Sequence, residues 1–221
     1  MARARRKSEF IIIGLGRFGG GVATTLVELG NDVLGVDLNA KNVQAYRDIL
    51  THVVEADSTD VEAMRQLGAA DFGTAVIAIG TDIEASILTT AALVDLGVSR
   101  IVAKAVSEPH GKILERVGAT RVVHPERDTG VRVGHSLTGR MIDFIQLDPG
   151  FALVETTAPT DLIGRTLAEA EVRRRYGITV VCIKPAGGTF TYATPETVPR
   201  EGDVLVVAGE TDRAEAFGKL G

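Results

Sequence analysis

A glycine-rich turn near the start of the chain carries the residues with the clearest chemical meaning. Gly14, Gly16 and Gly19 have the spacing G-x-G-x-x-G, after the apolar run FIII and before a segment with helical periodicity. In a strand–turn–helix unit the first glycine permits the tight turn, the second lets the backbone approach a phosphate, and the third lets helix and sheet pack closely. The motif therefore predicts a nucleotide-phosphate site, against the simpler alternative of a glycine turn that only packs a helix.

An acidic residue follows this turn at the distance expected of a ribose ligand. Asp37 ends the apolar segment DVLGVD, about twenty residues after the glycines, where a carboxylate accepts hydrogen bonds from ribose hydroxyls. The same carboxylate would repel a 2′-phosphate. We therefore expect a nucleotide whose ribose hydroxyls are free.

Arg17 lies inside the glycine turn, at the start of the predicted helix. A cation there opposes the helix dipole unless an anion is bound beside it. Its guanidinium group is suited to bidentate contact with phosphate. Two interpretations remain: a solvated side chain, or an arginine that contacts an extra phosphate in this or a neighbouring subunit.

The residues that a nucleotide-dependent enzyme would need are not apparent. The four histidines, His52, His110, His124 and His135, are scattered along the chain. They form no pattern with serine, cysteine or carboxylates that indicates a triad or a metal cluster. The P-loop motif G-x-x-x-x-G-K is absent from the sequence. The sequence thus predicts a nucleotide site without an attached reaction, which favours a sensor over an enzyme.

The segments that position this site alternate between strand and helix patterns. Short apolar runs, typical of strands, are FIII, DVLGVD, HVVEA, TAVIAI, RIVAKAV and RVV. Longer stretches with helical spacing separate them, which predicts βαβ units and a parallel sheet covered on both faces. We therefore expect an α/β fold: a Rossmann-like, doubly wound parallel sheet over residues 8–126.

A smaller α+β domain is expected over residues 146–221, after a crossover helix or linker at 127–145. The stretch GVRVGHSLTGRMIDFI has helical character. Beyond it, FALVETTA, ITVVCIK, TFTYA and VLVVAG are strand-like, and TLAEAEVRRRY is helix-like. The turn PAGG between two strand patterns predicts a hairpin.

Composition limits the class of protein. The net charge of −5 argues against a basic face for nucleic acid. A single cysteine, Cys182, cannot form an internal disulfide, which favours a reducing compartment. No apolar run approaches the ~18 residues of a membrane span, so we expect a cytoplasmic protein. The basic start MARARRKSE is interpreted as a solvated tail or a contact with an anionic partner.

Several motifs together resemble those of a known family. The strings IIIGLGRFGGGVATTLVELGNDVLGVDLN, THVVEADSTD, VIAIGTDIEASILTT, IVAKA and HPERDTG resemble the RCK (KTN) domain, and more closely the KtrA/KtrC-type cytosolic regulatory subunits of Ktr/Trk bacterial potassium-uptake channels. The resemblance implies a non-enzymatic regulator. It would form homodimers that assemble into an octameric gating ring on a KtrB/TrkH-type membrane channel subunit, at the inner face of the cell membrane. ATP would activate the channel and ADP would inactivate it.

The resemblance also implies which residues bind the nucleotide. They are Gly14, Gly16, Arg17, Phe18, Gly19, Asp37, Asn39, Asp57, Ser58, Ile79, Gly80, Lys104 and Glu126. Asp37 and Asn39 would bind the ribose. Asp57 and Ser58 would face the adenine, with Ile79 and Gly80 lining the site.

The charged members of this set would act at the phosphates. Arg17 would reach the terminal phosphate of the nucleotide in the adjacent subunit, and Lys104 would also face phosphate. Glu126 would bind magnesium, calcium or sodium between the two nucleotides of a dimer. The residues also admit simpler roles: a lysine whose stem covers apolar surface for Lys104, a carboxylate favoured at a helix start for Glu126, and a helix cap for Asp57.

In some members the C-terminal domain binds cyclic di-AMP at a dimer interface, which inhibits uptake. The matching positions are Leu167, Ala168, Arg173, Ile178, Thr179 and Pro195. The run from Arg173 to Arg175 is alternatively a solvated basic face. Pro185 stands where many members have a basic residue, which puts the local turn in question. Two alternatives for the whole protein are an NAD(H)-binding redox sensor and a small NAD-dependent oxidoreductase.

Overall fold

The computed structural model describes residues 9–137 and 139–220. The basic amino-terminal tail lies outside the described residues, as do residue 8 of the predicted first domain and residue 221 of the second. The chain divides into two compact units after Glu126. No helix in the described part of the chain is long and apolar enough to cross a bilayer.

Within the described residues, the first unit contains a parallel sheet of six strands with the order β3-β2-β1-β4-β5-β6. The strands are β1 (Glu9–Ile13), β2 (Asp32–Asp37), β3 (His52–Glu55), β4 (Thr74–Ile77), β5 (Ile101–Lys104) and β6 (Arg121–Val123). The connecting helices are α1 (Arg17–Glu28), α2 (Ala40–Tyr46), α3 (Val61–Gln66), α4 (Ile83–Asp95) and α5 (Glu108–Val117). This is the Rossmann-like order predicted from the alternating pattern.

The two faces of this sheet bury separate hydrophobic clusters. Ile11 and Ile13 of β1 pack into one cluster, whereas Ile12 packs into the other. All three are almost completely buried, because successive side chains of a strand point to opposite faces. Each such burial contributes roughly 1.5–3 kcal/mol. The strand order reverses between β1 and β4, so the loops after these strands diverge and leave a crevice at their carboxyl ends.

In the second unit, five strands of the described chain form an antiparallel sheet with the order β10-β9-β11-β8-β7. The helix that precedes them, α6 (Pro125–Ser136), begins in the last two residues of the first unit. The strands are β7 (Met141–Asp148), β8 (Phe151–Thr157), β9 (Ile178–Lys184), β10 (Thr191–Tyr192) and β11 (Val204–Glu210), with helices α7 (Val172–Tyr176) and α8 (Thr211–Gly218). Leu162, Leu205 and Phe217 are central to its hydrophobic core. The predicted α+β character is therefore confirmed.

Three local predictions in this unit were wrong. The stretch GVRVGHSLTGRMIDFI is not one helix, because α6 ends at Ser136 and β7 begins at Met141. Met141 and Phe144 are both buried, and their separation of three residues is the spacing of a helix. In the strand, both side chains are buried because the pairing of β7 with β8 shifts its register between them. In TLAEAEVRRRY only α7 is helical, and in TFTYA only β10 is paired.

Candidate nucleotide site

Two glycines of the turn after β1 are required by the packing of the chain itself. Gly14 has φ +90, a conformation that strongly favours glycine. A Cβ atom on Gly19 would lie 1.8 Å from the carbonyl oxygen of Gly14 and 2.8 Å from the Cβ of Ala78. These contacts bring α1 close to β1 and β4, as the motif predicts.

Gly16 differs, since nothing in the chain requires a glycine there. Its φ is −69, and an added Cβ would meet no atom of the described residues within 4 Å. Gly16 is the N-cap of α1, which has no side-chain cap hydrogen bond and no acidic residue in its first turn. Within residues 9–137 and 139–220, the first N–H groups of α1 thus lack a side-chain cap, and the space beside Gly16 is open to an anion.

Asp37 is fixed at the end of β2 by three donors from the chain. Its Oδ2 accepts hydrogen bonds from the backbone N–H of Leu15, at 2.6 Å, and from Nδ2 of Asn42, at 3.0 Å. Its Oδ1 accepts one from the backbone N–H of Asn39, at 2.8 Å. The carboxylate therefore lies beside the glycine turn, where a ribose ligand is expected. Sequence analysis missed Asn42. Its position in the first turn of α2, five residues after Asp37, is the signal that could have indicated this contact.

The side chain of Asn39 also caps the helix that follows this loop. Its side-chain oxygen accepts a hydrogen bond from the backbone N–H of Lys41 at 3.0 Å and caps α2. Its amide N–H groups and the second acceptor site of its oxygen remain to contact a ribose.

Lys104 and Glu126 form an ion pair between the end of β5 and the start of α6. Nζ of Lys104 lies 2.6 Å from Oε1 of Glu126, and the two side chains are 11% and 68% exposed. The ammonium group is 5.9 Å from the ring centroid of Phe18, in the first turn of α1. A Cβ on Gly80 would lie 2.8 Å from this ammonium group, so the glycine provides space for it. Four predicted site residues thus meet at one place.

Electrostatics link this pair to the glycine turn. The hydrogen bond from Lys104 lowers the pKa of Glu126, and the positive charges of Lys104 and Arg17 act in the same direction. Arg17 itself is exposed. Lys104, by contrast, is largely buried and paired with Glu126, so it is not a solvated surface residue. Glu126 is the second residue of α6. It therefore has the position at a helix start that favours a carboxylate, in addition to its ion pair with Lys104.

The segment after β3 has a local structure that differs from one prediction. Asp60, not Asp57, caps α3 by accepting from the backbone N–H groups of Glu62 and Ala63. Oδ1 of Asp57 instead accepts hydrogen bonds from the backbone and hydroxyl of Thr59, which lower the pKa of Asp57. The helix-cap interpretation of Asp57 was therefore wrong.

The remaining predicted residues lie at the ends of neighbouring strands. Ser58 is buried, and its hydroxyl lies 2.8 Å from that of Thr89 on α4. Ile79 and Gly80 lie in the loop that follows β4, after Ala78. These positions surround the carboxyl edge of β1, β2, β4 and β5.

A separate pocket of about 480 Å³ lies in the second unit. It is lined by Leu167, Ala168, Glu171, Val172, Arg173, Arg174, Ile178, Thr179, Val180, Ala193, Thr194 and Pro195, which include all six positions matched to cyclic di-AMP. Arg173 donates to Oγ1 of Thr179 at 2.9 Å, and Arg174 pairs with Glu171 at 2.7 Å. The basic run is therefore partly built into a concave site.

No group of three or more histidine, cysteine or acidic side chains in residues 9–137 and 139–220 could hold a metal ion. His110 is buried on α5 and accepts a hydrogen bond from the backbone N–H of Val106 through Nδ1. Burial, together with the nearby His124, lowers the pKa of His110. Neither histidine belongs to the site described above.

The fold of this chain is that of solved RCK domains. The solved RCK domain of GsuK superposes with a TM-score of 0.68, at 20% identity, over 99% of this chain and 48% of that one. The Kef C-terminal domain of Shewanella denitrificans, solved in an AMP-bound form, gives a TM-score of 0.50 at 26% identity, over 59% of this chain and 79% of that one.

Sequence comparison identifies the family. The TrkA-N domain matches residues 10–125, and the TrkA-C domain matches residues 151–220. The chain is 38% identical to Ktr system potassium uptake protein C of Bacillus subtilis (strain 168), over 96% of this chain and 97% of the relative. It is also 38% identical to Ktr system potassium uptake protein A of the same organism, over 98% of each chain. This chain belongs to the family of TrkA-N/TrkA-C domain proteins that includes these two relatives.

Proposed function

We propose that this chain is the cytosolic, nucleotide-sensing regulatory subunit of a bacterial potassium-uptake system and has no enzymatic activity. Full-length similarity to two potassium uptake proteins supports the physiological role. The observation that carries the sensing role is the ion pair of Lys104 and Glu126 beside the open start of α1. The charges of this pair lie beside the open start of α1, which supports a phosphate site there.

The proposed ligands of the first unit are ATP and ADP. Gly14, Gly16 and Gly19 would shape the phosphate loop, and Asp37, which lies beside that loop, would bind the ribose. The AMP-bound Kef domain, which shares 26% identity, supports an adenine nucleotide. The exposed Arg17 would contact the terminal phosphate of the nucleotide in an adjacent subunit, and Lys104 would contact phosphate in its own. The contact of Arg17 with the terminal phosphate would distinguish ATP from ADP. A sensor needs such a distinction, since a ligand shifts a conformational equilibrium only by its differential affinity for the two conformations.

A cation would be shared between subunits rather than held by one chain. Glu126 is a single carboxylate and cannot form a complete site by itself, since hard cations such as magnesium or calcium need about six oxygen ligands. The phosphates of two nucleotides and the Glu126 of each subunit would supply the others. The lowered pKa of Glu126 suits this role, because the carboxylate stays ionised at neutral pH.

The proposed assembly is a homodimer that builds an octameric ring on a KtrB/TrkH-type membrane channel subunit, at the inner face of the membrane. ATP would favour the activating form of the ring and ADP the inactivating form. Coupling of about 1–3 kcal/mol per site is typical of allosteric proteins, and eight sites acting together would sharpen the response.

The pocket of the second unit is proposed to bind cyclic di-AMP. Its volume of about 480 Å³ lies in the range of ~300–1,000 Å³ that is typical of small-ligand sites. Its apolar walls suit an adenine, and Arg173 and Arg174 suit a phosphodiester. Binding across a dimer interface would let the ligand lock one arrangement of the subunits and inhibit uptake.

Calorimetric titration of the nucleotide-free protein with ATP, ADP and NADH, with and without magnesium or calcium, tests the first site. We expect both ATP and ADP to bind, and the cation to strengthen the binding of ATP but not of ADP. Preferential binding of NADH would instead support the redox sensor. Turnover of NADH with a small substrate would support the oxidoreductase.

A further inference from the structure

We infer that Asn42 is a specificity-determining residue that restricts Asp37 to the recognition of a single ribose hydroxyl. The inference rests on the proposed adenine-nucleotide site and adds a residue and a selectivity to it. Its basis is the number of hydrogen bonds that the Asp37 carboxylate already accepts from the chain.

A carboxylate has two oxygens with about four acceptor sites in total. Oδ2 of Asp37 uses both of its sites, since the backbone N–H of Leu15 lies at 2.6 Å and Nδ2 of Asn42 at 3.0 Å. Oδ1 accepts from the backbone N–H of Asn39 at 2.8 Å. Three donors therefore leave one acceptor site, on Oδ1, for a nucleotide.

Two of these donors are backbone groups fixed by the fold, whereas the third is a side chain. The N–H of Leu15 belongs to the glycine turn, and the N–H of Asn39 lies at the N-cap of α2. Only Asn42 can be removed by substitution without changing the loop. The orientation of its amide is fixed as well, because only the NH2 end can donate to a carboxylate.

The consequence concerns the two hydroxyls of an adenosine ribose. An aspartate with both oxygens available binds the 2′- and 3′-hydroxyls together. With Oδ2 saturated by Asn42, Asp37 would bind one hydroxyl, and removal of the other would cost little affinity. Replacing Asn42 by alanine would free Oδ2, so that both hydroxyls would then contribute.

The test is calorimetric titration of the full chain with ADP, 2′-deoxy-ADP and 3′-deoxy-ADP. We expect the wild type to lose about tenfold in affinity or more for one deoxy analogue and less than about threefold for the other. We expect Asn42→Ala to lose affinity for both analogues relative to ADP. Gln44→Ala, which removes an exposed amide from the same helix, should keep the wild-type pattern.

The outcomes separate this inference from the proposed function. If the wild type binds ADP but loses equal affinity for both analogues, the inference is overturned and the nucleotide site stands. An unchanged ratio in a folded Asn42→Ala variant would also overturn it, because a residue that only ties α2 to β2 would leave the ratio unaltered. Failure of the wild type to bind ADP would overturn both proposals together.

Discussion

Lys104 at the end of β5 and Glu126 at the start of α6 are 22 positions apart in the sequence, yet Nζ and Oε1 lie 2.6 Å from each other. The lysine is buried, and Gly80 and Phe18 lie beside its ammonium group. The pair thus places one buried positive charge and one more exposed negative charge beside the first turn of α1. A phosphate and a cation would find complementary groups there.

Glu126→Gln should abolish the strengthening of ATP binding by magnesium or calcium, because a neutral amide is a poor ligand for a hard cation. Binding of ADP without cation should change by less than about threefold, because the amide oxygen of glutamine can still accept the hydrogen bond from Lys104. Calorimetry with and without the cation measures both effects. Asp128→Asn, on the same helix, is the control and should behave as the wild type. An undiminished cation effect in Glu126→Gln would exclude this carboxylate as a ligand.

Arg17→Ala should retain ADP binding and lose the preference for ATP, by about tenfold, since a charge-assisted contact with the terminal phosphate is removed. The affinity ratio of the two nucleotides, measured by calorimetry, reports this directly. Arg116→Ala, an exposed cation at the end of α5, should leave the ratio unchanged. Equal loss of ATP and ADP affinity would mean that Arg17 does not distinguish three phosphates from two.

Gly16→Ala and Gly19→Ala should separate ligand binding from folding. An added methyl group at Gly16 meets no atom within 4 Å in the part of the chain that the structure describes. We therefore expect stability to fall by less than about 1 kcal/mol while nucleotide affinity falls about tenfold or more. At Gly19 the methyl group would collide with backbone, which should cost roughly 1–3 kcal/mol or more. Thermal unfolding combined with nucleotide titration checks the pair. Normal nucleotide affinity in Gly16→Ala would argue against a phosphate at this turn.

Arg173→Ala should weaken cyclic di-AMP binding by about tenfold or more, because a charged donor to the phosphodiester is lost. Direct titration of the full chain with cyclic di-AMP gives the comparison. Arg200→Ala removes an exposed arginine from the same unit and should have no effect. Equal behaviour of the two variants would place the ligand elsewhere or reduce the basic run to a solvated face.

His110 should make the first unit sensitive to mild acid. Burial and the proximity of His124 lower the pKa of His110, and its Nε2 makes no hydrogen bond within the described residues. Below about pH 6.5 the unfolded chain protonates His110 more readily than the folded chain does. The stability of the fold therefore decreases as the pH is lowered. We therefore expect a lower Tm at mildly acidic pH than at neutral pH.

The measurement is Tm for the wild type and for His110→Gln at about pH 7.5 and pH 5.5. The neutral variant should show a smaller difference between the two values, even if it is less stable at both. His52→Gln changes an exposed histidine and serves as the control. A pH dependence that persists fully in His110→Gln would assign the acid sensitivity to other groups.

Much of the first unit could be predicted from local patterns. Apolar runs buried on both faces, such as Ile11 to Ile13, indicate parallel strands, and the glycine spacing locates the turn between β1 and α1. The second unit was less predictable, since Met141 and Phe144 have the spacing of a helix but belong to a strand. Pairing with β8 decided that segment, and strand pairing is not a local property.

The sequence by itself determined the glycine turn, the acidic end of β2 and the alternation of strands and helices, because each depends on residues close together in the chain. Only the tertiary structure decided that Lys104 meets Glu126 and that the backbone N–H of Leu15 donates to the carboxylate of Asp37. Parallel strands place their carboxyl ends along one edge, so residues far apart in sequence converge there. Which side chains then touch depends on distances of a few ångströms, and these are set by packing rather than by the order of residues.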